Sequence, residues 1–90
     1  SVRALHDLVR QWAPKIVFLS ETKLKTKCME RIRDWIGFAN GLFVPSCGGL
    51  ALLWTRETDL EIKSFGNHHI DAIVTETNSY FKWRTIPRLI

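Results

Sequence analysis

Nothing in these 90 residues is both long and apolar enough to span a bilayer as a helix, which takes roughly 20 residues. The opening Ser1-Val2-Arg3 is not the charged-then-apolar start of a secretion signal. It also lacks an initiator Met, which fits either residues upstream or removal of a Met before Ser. Cysteine is scarce. Cys28 and Cys47 form no C-x-x-C pair and have no histidine at zinc-finger spacing. They are therefore expected to be buried thiols in a reducing, intracellular compartment, nuclear or cytoplasmic. No G-x-x-x-x-G-K phosphate loop, convincing Ser–His–Asp order, internal repeat, linker or low-complexity stretch occurs, so residues 1–90 read as one domain.

Against these absences stand an apolar fraction of 46% and four Trp, enough for a core and too much for a disordered chain. A domain this small buries only about 60–65% of its unfolded surface. The formal charge is +4 and the pI about 9.4. That balance favours contact with phosphate but does not require it.

The chain is organised around Lys15-Ile-Val-Phe-Leu-Ser-Glu-Thr-Lys23. Ile16 to Leu19 are four consecutive apolar residues after Pro14, which predicts a strand covered on both faces, as in a parallel sheet. The run ends in a hydroxyl, a carboxylate and a cation, and open α/β sheets place ligand chemistry at such strand ends. Before it, Val2, Leu5, Val9 and Trp12, widened by Leu8, recur at helical spacing and predict a helix over 2–13, with Ser1 as N-cap. Helix then buried strand is the second half of a βαβ unit whose first strand is not in the chain.

Thr26 is the expected N-cap of a second helix over 27–36, closed by Gly37, with Met29, Ile32 and Ile36 on its inner stripe. Lys23, Lys25, Lys27, Arg31 and Arg33 make this the most basic part of the chain. It is either a solvated helix face or a rim that meets phosphate. From residue 38 the pattern turns to short apolar or alternating runs: 41–44, 50–54, 60–63, 70–74 and 80–84. Gly48-Gly49 indicates close backbone approach or a tight turn, and Thr77-Asn78-Ser79 a hairpin turn. The second half is predicted to be an antiparallel meander.

Glu21 leads the candidates for chemistry. His68 and His69 are neighbours, so on a strand they point to opposite faces and do not chelate one ion. His69 and Asp71 share a face but are too few for a metal site, and structural roles are expected for all three. Trp12, Trp35 and Trp54 occupy apolar-face positions and are expected in the core. Tyr80, Phe81 and Trp83 could stack on bases if exposed.

Ser20-Glu21-Thr22-Lys23 after its apolar strand resembles the endonuclease/exonuclease/phosphatase family, especially the endonuclease domain of plant LINE-type retrotransposons. Ser46-Cys-Gly-Gly-Leu-Ala-Leu-Leu-Trp54 is similar to that family's Gly-Gly strand. Asn67-His-His-Ile-Asp71 and Lys82-Trp-Arg84 are similar to the hairpin that follows. The resemblance implies an α/β fold, a partial DNase I-like four-layer α/β/β/α sandwich truncated at both ends. It also implies a Mg²⁺-dependent phosphodiesterase acting on DNA, with an Asp–His pair preparing water for attack on a metal-polarised phosphate. Glu21 would be the metal ligand, and Lys23, Lys25 and Arg84 would contact nucleic acid. The family's Asn-x-Arg-Gly segment precedes the first helix and is not in this sequence. Thr85-Ile-Pro-Arg-Leu-Ile90 stands where a Gly-x-Tyr-Gly-like strand should follow, and the Asp-x-Asn and Ser-Asp-His segments would lie beyond Ile90. Glu21 alone carries over from the catalytic set. The expectation is therefore an endonuclease-domain fragment inactive by itself. The alternatives are a non-catalytic nucleic-acid-binding module and a decayed reading frame without molecular function.

Overall fold

A computed structural model describes residues 2–45 and 48–85. In chain order the elements are α1 (Val2–Trp12), β1 (Ile16–Ser20), α2 (Thr26–Ile36), β2 (Asn40–Val44), β3 (Leu50–Trp54), β4 (Leu60–Phe65), β5 (His69–Val74) and β6 (Ser79–Arg84). The expected α/β composition and the C-terminal meander are both present. Ser1 as N-cap, Cys47 as a buried thiol and the 86–90 tail lie outside the described residues.

The strands form two three-stranded antiparallel sheets, sheet A in the order β1-β3-β2 and sheet B in the order β4-β5-β6. Strand β3 is the apolar run Leu50-Ala-Leu-Leu-Trp54, and Leu50 to Leu53 are fully covered. Period-2 geometry sends alternate residues to opposite faces. Leu50 and Leu52 join Val44, Ile70 and Ala72 in a core between the sheets. Leu53 joins Ile36 and Phe38 in a second core beneath the helices, with Leu5, Val9, Val17 and Ile32 packed against it. The described residues thus form three layers, helices over sheet A over sheet B.

The central expectation about β1 is corrected here. It pairs antiparallel with β3, with Phe18 opposite Leu52, and it sits at the edge of sheet A. Its residues Ile16 to Leu19 are only partly buried. A run apolar on both faces predicts a strand covered on both sides, as in a parallel sheet. Here it arises because β1 lies between two cores, with the helices above and sheet B below.

Helix ends follow local chemistry. Pro14 stops α1, and the chain turns at Ala13, whose φ is 45° and whose N–H donates to the Val9 carbonyl at 2.8 Å. Gly37 closes α2 as expected. At φ 89° it lets its own N–H reach the Arg33 and Asp34 carbonyls, while the Phe38 N–H reaches Arg33 at 3.0 Å. At the other end Thr26 is already helical. Lys25 is the N-cap, with no side-chain capping bond.

Two tryptophans expected in the core are outside it. Trp12 is 70% exposed and Trp35 51% exposed, whereas Trp54 packs between the sheets. The face of α1 presented to sheet A is narrow: Leu5 and Val9 pack, while Val2, Leu8 and Trp12 remain exposed. Trp35 instead stacks on His6 of α1, with ring centroids 4.4 Å apart, and so joins the two helices at their surface. Cys28 is exposed, not buried, because it lies off the Met29–Ile32–Ile36 stripe of α2.

Because β3 is covered from both sides, Leu52→Ala and Leu53→Ala should each cost about 2–5 kcal/mol in urea unfolding. Trp12→Ala, at a mostly exposed site, should change stability by no more than about 0.5 kcal/mol.

Candidate functional site

Strand β1 delivers its carboxyl end to a loop that the backbone holds in an uncommon conformation. Glu21 and Lys23 both have positive φ, 53° and 54°, a region non-glycine residues seldom occupy. The loop is tied to the start of β3. The Thr22 N–H donates to the Gly49 carbonyl at 3.3 Å, and the Lys23 N–H to the Gly48 carbonyl at 2.7 Å. Gly48 and Gly49 themselves have φ near 90°. A Cβ on Gly49 would lie 2.3 Å from the Thr22 hydroxyl, so only glycine permits this approach. The close backbone contact expected of the glycine pair is therefore present, and its partner is the Glu21 loop.

Glu21, Lys23 and Lys25 are exposed and follow one another along this loop. Lys25 continues into an open concavity of about 600 Å³ at the start of α2, shared with Thr26, Lys27, Cys28 and Arg31. Behind the loop, a largely apolar cavity of about 270 Å³ is lined by Leu5, Leu19, Leu24, Met29 and Ile32, with the Ser20 and Thr22 side chains at it. The loop that carries Glu21 thus borders the apolar cavity through Ser20, Thr22 and Leu24 and reaches the basic concavity at Lys25.

Arg84 does not belong to this rim. It lies on β6, and its side chain occupies the outer face of sheet B, away from the core that sheet B shares with sheet A. There it forms an ion pair with Asp71 and also donates to the Trp83 carbonyl at 3.0 Å. Asp71 is 8% exposed and accepts a second hydrogen bond from the Ser64 hydroxyl at 3.1 Å. The Arg84 hydrogen bond holds the Asp71 carboxyl below its ordinary range. Desolvation opposes this, while Ser64 and the neighbouring positive charges reinforce it. The same bond raises the Arg84 guanidinium further.

His69 shares that face with Asp71, as expected. Its Nε2 is 3.4 Å from the Ser64 hydroxyl. Ser64 lies between the histidine and the carboxylate, whereas nucleophilic catalysis needs the histidine between serine and carboxylate. His68 turns elsewhere, with its Nδ1 3.3 Å from the Thr85 hydroxyl. The cluster pins the open end of sheet B. The sequence does not single out Ser64, and it offers Arg84 as a nucleic-acid contact and not as the partner of Asp71. Strand alternation sets Asp71 across from Lys82 and diagonal to Arg84, but Ser64 reaches the cluster only through the bulge between Ile62 and Ser64.

The described residues assemble no multi-ligand site that would hold a resident Mg²⁺ without substrate. Hard oxygen donors are required, normally one or two carboxylates together with substrate phosphate and water. The Glu21 loop brings one carboxylate, and among the described residues no group of three or more His, Cys, Asp or Glu converges.

Gly49→Ala should destabilise the chain by about 2 kcal/mol, since it combines a positive φ with a clash against Thr22. Gly48→Ala, whose Cβ would have ordinary 3.8 Å contacts, should cost roughly 1 kcal/mol in the same urea titration. Asp71 supplies a pH signature. Its folded-state carboxyl is the stronger acid, so its stabilising effect is complete above the ordinary carboxylate range and is lost as pH falls through and below it. Unfolding at stepwise lower pH should show an acid-side loss of stability in the wild type that is smaller in Asp71→Asn.

Comparison with known protein families, with curated proteins and with solved structures finds no match to this chain.

Proposed function

We propose that this chain is part of a DNA endonuclease domain of the endonuclease/exonuclease/phosphatase type, from a retroelement lineage, and that it does not cleave DNA by itself. The observation that carries this reading is the clamp between the Glu21 loop and Gly48-Gly49. Two segments that resemble the family's metal-ligand and Gly-Gly motifs are far apart in sequence, yet they are hydrogen-bonded to each other. Glu21 is held in a constrained backbone at the end of an apolar strand, as a metal-ligand role in a larger site would require. The α/β/β layering is compatible with three layers of a four-layer α/β/β/α sandwich, in which a further helical layer would cover the outer face of sheet B.

The same residues account for the lack of cleavage. Among the described residues Glu21 belongs to no group of three or more His, Cys, Asp or Glu that would combine metal ligands with a general base, and the His69–Asp71 face belongs to the other sheet. Nicking of supercoiled plasmid by wild-type and Glu21→Ala protein, each with Mg²⁺ and with EDTA, tests this. Equal background in all four reactions, from protein shown to be folded by circular dichroism, is the expected result. Nicking that requires both Mg²⁺ and Glu21 would overturn the claim of inactivity.

A second reading, nucleic-acid binding without catalysis, draws on the concavity where Lys25, Lys27 and Arg31 converge. Three phosphate contacts would make the logarithm of the binding constant fall against log salt with a slope of about −3, with no need for Mg²⁺. Fluorescence anisotropy on a labelled duplex should show that slope reduced by about one unit in Arg31→Ala. A slope near zero would exclude this rim as a phosphate contact.

A further inference from the structure

We infer that α1 is a hinged lid. It swings as one unit about Ala13-Pro14 while α2 and the two sheets stay folded, and it uncovers the helix-side core and the cavity behind the Glu21 loop. The lid follows from how α1 is seated and is independent of the nuclease reading.

None of the eleven residues of α1 is buried, whereas α2, of the same length, buries Met29 and Ile36. Strand β1 also has no buried residue, but its ladder to β3 holds it. A helix closes its backbone hydrogen bonds within itself, so α1 is seated by its side chains. Leu5 and Val9 pack, partly buried, against Leu53, Ile36 and Phe38. His6 stacks on Trp35 of α2 with the ring planes 17° apart. Two partly buried side chains and one surface stack hold far less area from water than β3, where Leu50 to Leu53 are covered from both sides. An element seated so lightly opens well below the cost of global unfolding.

The pivot is equally local. The Ala13 N–H bonds to the Val9 carbonyl and so belongs to the helix itself. Two residues on, the Lys15 carbonyl accepts from the Thr55 N–H at 3.0 Å and is fixed to the chain just past β3. Between these anchors stand Ala13, whose φ of 45° is one that side-chain-bearing residues seldom adopt, and Pro14, which has no N–H to donate. Rotation there carries the helix as a lever and breaks no ladder bond.

Two things lie under the lid. One is the fully buried Leu53, with Val17 and Ile32 beside it. The other is the cavity of about 270 Å³, where Val2 and Leu5 of α1 face Leu19, Thr22 and Leu24. Opening removes the α1 wall of that cavity and admits water behind Thr22 and Leu24. The hydrogen bonds from Thr22 and Lys23 to Gly49 and Gly48 do not involve α1 and remain. The lid therefore alters the back of the Glu21 loop without releasing its clamp.

Native-state hydrogen exchange of the whole chain, read by NMR in sub-denaturing urea, tests the inference. Amides from His6 to Ala13 should share one protection factor, at least about tenfold below that of β3. Their urea dependence should be shallower, because opening exposes less surface than unfolding. Ile70→Val weakens the core between the sheets, which the open form keeps. It should lower protection in β3 by about twofold to tenfold and leave α1 unchanged. Trp35→Ala removes the stack that latches the lid and should lower protection in α1 by about twofold to tenfold. The first change is conservative and the second lies at a half-exposed site, so both proteins fold. One protection factor and one urea dependence for α1 and β3 would overturn the inference. So would Ile70→Val lowering α1 as much as β3, or Trp35→Ala leaving α1 unchanged.

Discussion

Strand β3 must be apolar on both faces because it has a layer on each side. Leu50 and Leu52 meet sheet B, and Leu53 meets the helices. Fully burying a side chain of this size contributes about 1.5–3 kcal/mol, so this short run is a large part of what holds a small domain together. Both neighbours of β3 in sheet A depend on it for their backbone hydrogen bonds, and each is an edge strand. Without β3 the helical layer would have no sheet to cover and sheet B no opposing face.

The same strand sets the geometry of the candidate site. Gly48 and Gly49 lead into β3 and accept the hydrogen bonds that hold the Glu21 loop at the end of β1. The link from core to site is therefore direct. The strand at the centre of the packing also fixes the glycine pair, and the glycine pair holds the backbone at Thr22 and Lys23, next to Glu21. A larger residue at Gly49 would move the loop before it touched any functional group.

Exposure is distributed unevenly over this fold. The core between the sheets and the core under the helices are both closed by a few branched side chains, while Leu8, Trp12 and Trp35 lie on the helical layer and Phe65, Tyr80 and Phe81 on sheet B. Part of that apolar surface has local partners, as in the His6–Trp35 and Trp83–Phe81 stacks. The Ser64–Asp71–Arg84 cluster shows the opposite treatment: on the outer face of sheet B, charges are paired and hydrogen-bonded, and the carboxylate is held ionised by its partner.

By itself the sequence determined the elements and their ends. Helical periodicity located both helices, Pro14 and Gly37 terminated them, and alternating apolar residues located the meander, because these signals act within a few residues. Glu21 was legible as the leading candidate, and the glycine pair as a point of close approach. Only the tertiary structure decided what the glycine pair approaches, since that contact joins segments distant in sequence. It also decided that β1 is an antiparallel edge strand: Ile16 to Leu19 would look the same at the centre of a parallel sheet, where both faces are likewise covered. The tryptophans show the same limit. Trp12 and Trp35 continue the apolar stripes of their helices, yet sheet A has three strands among the described residues and covers little more than Leu5, Val9, Ile32 and Ile36. Arg84 is expected from the resemblance to contact nucleic acid, and pairing across the strands gives it to Asp71. Periodicity specifies which face of an element is apolar, but the width and order of the opposing layer determine how much of that face is buried.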